Sequence, residues 1–376
     1  MKREINKPFV YGVSVSGKNF TDRVKETQRL KTNFENGLNV ILISPRRMGK
    51  TSLVKKVQQQ VDSRIVQTVY IDIYNCRSEY DFYNKFASEL IRQTASKIEM
   101  AMENVKQFLA RITTKISFNP DPLTDYTIAL GITPKECNPE QILALPEMLA
   151  EHIGKHIVVC IDEFQQVGEW PDSLNVQKRM RSVWQHHQHA SYCLFGSRKH
   201  MMMNLFQNKR MPFYQFGEPN FLQPIPTADW IPFIQQIFEE NGLTIDEHYV
   251  TQICDFVQNQ SSYVQQLAWN VMLNTKRIVT DEELEQGVED LLMQSTPLFM
   301  EQTASLTTYQ MNFIRAIIAG QHTQFSSQEI LDKYQLGSKS NVARMQKALI
   351  EKDLIELRKD GLFITDPVLQ LWLQRQ

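Results

Sequence analysis

The residues with the clearest chemistry run from Ser44 to Thr51, as Ser44-Pro45-Arg46-Arg47-Met48-Gly49-Lys50-Thr51. They follow the pattern GxxxxGK[ST] with serine in place of the first glycine. A loop that holds phosphate needs backbone N–H groups turned inward and a helix N-terminus aimed at negative charge. It also needs an ammonium for the β and γ oxygens and a hydroxyl on Mg²⁺. Gly49, Lys50 and Thr51 supply the essential groups. Ser44 falls at the strand-to-loop bend, where a small residue serves if its backbone angles stay in the permitted region. Ser44, Pro45, Arg46, Arg47, Met48, Gly49, Lys50, Thr51 and Ser52 therefore form a candidate cradle for ATP or ADP, with Thr51 as a ligand to Mg²⁺. The plain alternative is an ordinary helix start that happens to read GKT, and context decides between the two.

That context begins far along the chain, where Asp162-Glu163 closes the apolar run Ile157-Val158-Val159-Cys160-Ile161. Carboxylates at the carboxyl end of a parallel strand stand where open α/β folds bind ligands. Asp162 is suited to hold Mg²⁺ through its water shell, and Glu163 to orient or deprotonate an attacking water. Alone, the pair reads equally as solvated carboxylates at a strand end. Ser197, after the next strand, can sense a γ-phosphate or simply belong to the turn after Gly196.

The elements that must position these groups can be read from periodicity. Val40 to Ser44 is a short β-branched run, and the helix opened by the loop shows an apolar face of Leu53, Val54, Val57 and Val61: strand, loop, helix. Val66 to Ile73 is a second buried strand, and Ser78 to Lys97 has helical spacing through Phe82, Phe86, Leu90 and Ile91. Two strand-like pieces between Lys115 and Ile132 predict a hairpin insertion. A helix over Pro139 to His152 precedes the strand at Ile157, which has the continuous apolar character of a strand covered on both faces. A helix over Ser173 to Gln188 leads to a strand at Tyr192 to Phe195, and a last strand falls near Tyr214 to Leu222. The alternation predicts an α/β fold with a parallel sheet of about five strands.

Beyond Pro224 and Pro226 the pattern turns helical, over Trp230 to Asn241, Asp246 to Gln258, Tyr263 to Lys276 and Asp281 to Gln294. From Ser305 a further change follows. Met311, Ile314 and Ile318 line one helix, Ser326 with Glu329 suggests a capping box for a second, and Val342, Met345 and Leu349 line a third. Leu354 to Arg358 and Leu362 to Thr365 then alternate around Lys359-Asp360-Gly361, a hairpin signal. Three helices and a hairpin predict a winged helix. The expected domains are 1–225 (α/β core), 226–300 (helical lid) and 301–376 (winged helix).

At 376 residues, 42% hydrophobic and 22% charged, the chain has the composition of a globular protein of two or three domains, with no apolar stretch long enough to span a bilayer. The charged start lacks the apolar core of a signal peptide, so a cytoplasmic, soluble protein is expected. Cys76, Cys137, Cys160, Cys193 and Cys254 show no CxxC spacing and predict buried thiols rather than disulfides or a zinc site. A formal net charge of −1 gives no global attraction to nucleic acid.

With these residues in place, the chain resembles the archaeal and bacterial ATPases of the STAND clade within the AAA+ superfamily of P-loop proteins. Phe20-Thr21-Asp22-Arg23-Val24-Lys25-Glu26 is similar to the family's FxGRxxE entry segment, with Asp22 for glycine, and the resemblance implies that Phe20 and Arg23 lie beside the adenine. The stretch Pro45 to Leu53 is similar to the PRRxGKTSL form of the loop, and Asp162-Glu163-Phe164-Gln165 to the DEFQ form of the acidic motif. Phe195 to Met202 resembles the sensor strand, which implies roles for Ser197 and Arg198 near the γ-phosphate; by itself Arg198 reads equally as an exposed charge at a helix start. The lid helix around Tyr263-Val264-Gln265-Gln266-Leu267-Ala268 is kept, without the glycine and proline that usually precede it. Arg210 stands where ring-forming relatives carry an arginine finger, although a surface arginine is the simpler reading.

Two functions from different classes follow. One is a switch with slow Mg²⁺-dependent ATP hydrolysis that engages a protein partner through the winged helix. The other is a DNA-binding ATPase whose winged helix contacts duplex DNA through Lys339, Arg344, Lys347 and Lys352, opposed by Glu351. A catalytically dead scaffold has no need of Glu163.

Overall fold

The computed structural model describes residues 7–94, 117–119, 127–129 and 138–376. Five strands form one parallel sheet: β1 (Val40–Ile43), β2 (Val66–Asp72), β5 (His156–Asp162), β6 (Ala190–Gly196) and β7 (Glu218–Phe221), in the order β2-β5-β6-β1-β7. The most apolar runs became the central strands, because β1 and β6 are buried along their whole lengths and β5 beyond its first residue. Pro219 has no N–H to donate and lies on the edge strand β7, where that loss costs no ladder bond. The last strand is shorter than expected. Phe213 and Phe216 before it are buried in irregular backbone, with Gln215 in the left-handed region at φ 54°. Between β2 and β5, the short strands β3 (Ser117–Asn119) and β4 (Thr127–Ala129) pair antiparallel, as a hairpin insertion requires.

Register places the chemistry. Ile43 pairs with Gly196, Ile161 with Leu194, and Asp72 with Asp162, so β1, β5 and β6 finish at a common edge. One side of the sheet is held by an aromatic cluster in which the rings of Trp184 and Tyr192 stack at 4.2 Å and Phe164 meets Phe213 edge-on at 5.3 Å. The helix expected over Pro139 to His152 is two helices, Pro139–Leu143 and Leu145–Ile153, because Pro146 is tolerated only in a first turn. Within the entry segment a helix, Val24–Glu35, begins after the left-handed residues Asp22 and Arg23.

The described chain divides into two compact units. One comprises Arg23–Arg46 and Lys50–Leu222; the other comprises the stretch ending at Asp22, Arg47–Gly49 and Gln223–Gln376. In the second unit the helices Thr227–Glu240, Glu247–Phe256, Ser261–Asn274 and Asp281–Ala304 share one hydrophobic cluster with a winged helix. Its elements are the helices Thr308–Ile318, Gln328–Lys333 and Lys339–Glu351, the antiparallel strands β8 (Ile355–Arg358) and β9 (Gly361–Ile364), and a closing helix, Pro367–Gln374. The helix from Asp281 runs past Gln294 and through Pro297, because Leu291, Leu292 and Phe299 bury on both sides of the proline and Trp372 donates to the Thr296 hydroxyl at 3.0 Å. The capping box expected at Ser326 does not form. Gln324 is left-handed, Ser327 N–H closes a turn onto its carbonyl, and the helix starts one residue later. The closing helix went unpredicted although Asp366-Pro367 announces it: Asp366 accepts the N–H of Val368 and of Leu369, and proline occupies the first turn. Among the described residues no helix is long and apolar enough to cross a membrane. Cys76, Cys160, Cys193 and Cys254 are buried free thiols; Cys137 lies outside the described residues.

Candidate nucleotide-binding site

The loop leaves β1 at Ile43 and enters the helix Lys50–Gln60 at Lys50. Gly49 sits at φ 84° with nothing within 4 Å of where a Cβ would stand, so backbone conformation and not space calls for glycine there. Ser44, in the place of the pattern's first glycine, is buried, and its hydroxyl turns onto the Pro45 carbonyl at 3.2 Å. The Lys50 ammonium is buried and folded back on its own loop, donating to the carbonyl oxygens of Ser44 at 3.0 Å and Pro45 at 2.7 Å and to the Ser44 hydroxyl at 3.3 Å. Burial pushes its pKa down to about 8, against the opposing pull of Glu163 and Asp162.

Thr51 and the acidic strand end meet directly. The Thr51 hydroxyl donates to Asp162 Oδ2 at 2.8 Å, the Tyr70 hydroxyl donates to the same oxygen at 2.8 Å, and Glu163 N–H donates to Oδ1 at 2.9 Å. Burial raises the Asp162 pKa, and the hydrogen bonds from Tyr70 and Thr51 act in the other direction. One hydroxyl and one carboxylate, both hard oxygen donors, fit Mg²⁺, which keeps most of its waters and needs few protein ligands.

Glu163 occupies the left-handed region at φ 56°, and its Oε2 accepts from Ser197 Oγ at 3.0 Å and from Gln165 Nε2. Ser197, in the turn after Gly196, thus donates to the second carboxylate of the acidic pair. Gln165 is buried, and a Cβ on Gly196 would lie 1.8 Å from its Oε1. Glycine at 196 is thus the space into which Gln165 fits.

The remaining expected residues spread outward. Arg198, at the start of the helix Lys199–Gln207, pairs with Glu169. Arg46 is exposed, while Met48 and Ser52 are buried. Arg23 is buried and pairs with Glu26 at 2.9 Å; Phe20 is half-buried just before it. Within the second unit, Arg47 at φ 64° pairs with Asp366 at 2.6 Å, lies 4.3 Å over the Tyr263 ring and accepts the Ser262 N–H on its carbonyl at 3.0 Å. Arg210 is exposed, with its N–H on the Asn208 side chain at 3.0 Å. Sequence reasoning missed Tyr70 and gave Gln165 no role of its own. The signal for Tyr70 was parity, since it lies two residues before Asp72, on the same face of β2.

Residues 20–215 match the family of ATPase domains found predominantly in Archaea, and residues 297–375 match a probable winged helix domain. The chain belongs to this archaeal ATPase family. Among solved structures, the archaeal-type ATPase is similar to the Walker-type ATPase of Pyrococcus abyssi, with a TM-score of 0.70 at 16% identity over 98% of this chain and 100% of that one. It is also similar to the ORC2 protein of Aeropyrum pernix in its ADPNP–ADP complexes, with a TM-score of 0.55, 14% identity and coverage of 96% and 97%. The ORC1 protein of the same organism, solved in complex with DNA, gives 0.52, 12%, 96% and 94%. At such identities the likeness is one of fold: a parallel-sheet P-loop fold followed by a C-terminal winged helix. No curated protein matches the sequence of this archaeal-type ATPase.

Proposed function

We propose that the protein binds ATP with Mg²⁺, hydrolyses it slowly, and acts as a nucleotide-dependent switch that engages a protein partner through its winged helix. The observation that carries this reading is the meeting of Lys50 and Thr51 with Asp162 and Glu163 at one sheet edge. On binding, the β and γ phosphates would draw the Lys50 ammonium off the loop carbonyls. Thr51 and Asp162 would hold Mg²⁺, which neutralises charge developing on the phosphate oxygens. Glu163 accepts a proton from the water that attacks the γ phosphorus as the bond to the β-phosphate oxygen breaks. Ser197, already on Glu163, would exchange that bond for a γ oxygen, and Arg198 would leave Glu169 to add charge there.

The STAND-type reading within AAA+ rests on the loop, DEFQ and sensor motifs, with boundaries at 1–225, 226–300 and 301–376. DNA binding is the second reading, favoured by the likeness to an ORC1 protein solved with DNA. Calorimetric titration with ADP and a non-hydrolysable ATP analogue tests the central claim. The expected result is micromolar binding that Lys50→Ala weakens about a hundredfold, consistent with loss of a buried charge-assisted contact. Equal affinities for the two proteins would end the proposal.

A further inference from the structure

We infer that Tyr70 is a positioning residue for the metal: it fixes the Asp162 carboxylate against Thr51. Asp162's service to Mg²⁺ is the part of the proposed function on which this rests. Tyr70 pairs with Cys160 in the β2–β5 register, and Asp162 lies two residues further along β5 on the same face, within reach of a phenol but not of a short side chain. The Tyr70 and Thr51 hydroxyls converge on one oxygen, Oδ2, at 2.8 Å each, while Glu163 N–H holds the other. With three donors around it, the carboxylate plane has one orientation, the one that keeps Oδ2 at the Thr51 hydroxyl. A metal-holding carboxylate needs just this kind of outer partner to fix its rotamer.

Tyr70 is itself held firmly for a residue on an edge strand. The Gln93 side-chain amide closes both outward backbone groups, accepting the Tyr70 N–H at 2.9 Å and donating to its carbonyl at 2.7 Å, and it donates to Glu89 at 2.8 Å. The phenol ring lies 5.2 Å under the Lys55 ammonium, one turn along the same helix from Thr51, and 6.4 Å from the Phe195 ring. Tyr70 thus links β2, β5 and the first turns of the loop helix at a single point. A residue present only to pack the sheet needs the ring; the hydroxyl is what meets the site.

The test separates ring from hydroxyl in the full chain. ADP affinity is measured by calorimetry with and without Mg²⁺ for wild type, Tyr70→Phe, Asp162→Asn and the double variant, each with its melting temperature. Tyr70→Phe should keep its Mg²⁺-free ADP affinity and melting temperature, and lose about tenfold of the gain that Mg²⁺ confers, as removal of an outer-shell partner typically does. In the Asp162→Asn background the same change should add less than about twofold, because the two groups act as one unit. An undiminished Mg²⁺ gain in Tyr70→Phe overturns the inference. So does a loss of ADP binding with and without metal alike, which marks a packing role. A wild type with no Mg²⁺ gain at all removes the role of Asp162, a failure visible before any variant is made.

Discussion

At the carboxyl edge of the sheet, Lys50 and Asp162 are buried, the lysine against two carbonyls and a hydroxyl, the aspartate under three donors. Along the winged-helix segment Lys339–Glu351 the cations lie at the surface and meet local partners: Arg344 donates to Asn341 at 2.8 Å and Lys347 lies 3.8 Å from Glu351. Lys352, next in the chain, donates to the Ser305 hydroxyl at 3.2 Å. Exposed pairs of that kind contribute little to stability, whereas burying a charge costs several kcal/mol unless its surroundings compensate. A fold keeps such charges only where they are compensated and of use. The difference supports the proposal that the chemistry lies in the first region, where the fold keeps buried charge, and sets it against a second region whose cations serve local, exposed pairs.

The contrast is sharpest at Glu163. Glu163→Gln keeps the shape and the contacts of the side chain while removing the proposed base, so ATP turnover should fall about a thousandfold while ADP affinity stays within about threefold. A steady-state phosphate-release assay beside the binding titration decides this, and retained turnover would move the base elsewhere. Gly196→Ala comes next. The added methyl cannot coexist with Gln165 Oε1, so Gln165 must give way and release its hold on Glu163. Displacing the base by about 1 Å should cost about a hundredfold in turnover, together with about 2 kcal/mol of stability from overpacking, read by urea unfolding. Full activity in this variant would show that Glu163 needs no clamp.

Both regions differ in how far the chain itself discloses them. The parallel sheet was legible because apolar runs without alternation have few other homes, and the acidic pair was legible because it ends such a run. Ser44 to Thr51 was legible as a motif, but the turning of Lys50 onto Ser44 and Pro45 was not, since it depends on loop angles that no spacing encodes. Tyr70 was hidden because its value lies in the register of β2 against β5, a long-range fact. The split at Pro146 followed a local rule that was read too leniently, whereas the passage of a helix through Pro297 followed from packing by Phe299 and Trp372, which overrides the rule. Arg47 was read as part of the cradle, and its pairing with Asp366 joins residues too distant in sequence for any pattern to connect.

Acidity offers a milder probe. In the free protein Lys50 loses its proton at about 8, below the ordinary lysine value of 10.5, because burial penalises the ammonium. A bound phosphate stabilises the charged form and so binds together with a proton once the free protein has lost it. Nucleotide affinity should therefore be level below pH 8 and decline as pH rises above it, approaching tenfold per unit. Lys50→Arg, which stays charged throughout, should flatten the decline even if its absolute affinity is lower. Calorimetry from pH 7 to pH 9.5 checks both slopes, and parallel curves for the two proteins would detach the effect from Lys50.

The smallest effect is expected in the winged helix. If its cations serve mainly their own neighbours, reversing Arg344 and Lys347 together (R344E/K347E) should change affinity for random-sequence duplex DNA by less than about threefold at 50 mM salt. The slope of log affinity against log salt should stay shallow, since each phosphate contact contributes close to one unit of slope. Fluorescence anisotropy across a salt series measures both. A drop of a hundredfold with a slope reduced by about two would show that these side chains neutralise phosphates. The protein would then be a DNA-binding ATPase, and the exposed region would carry as much function as the buried one.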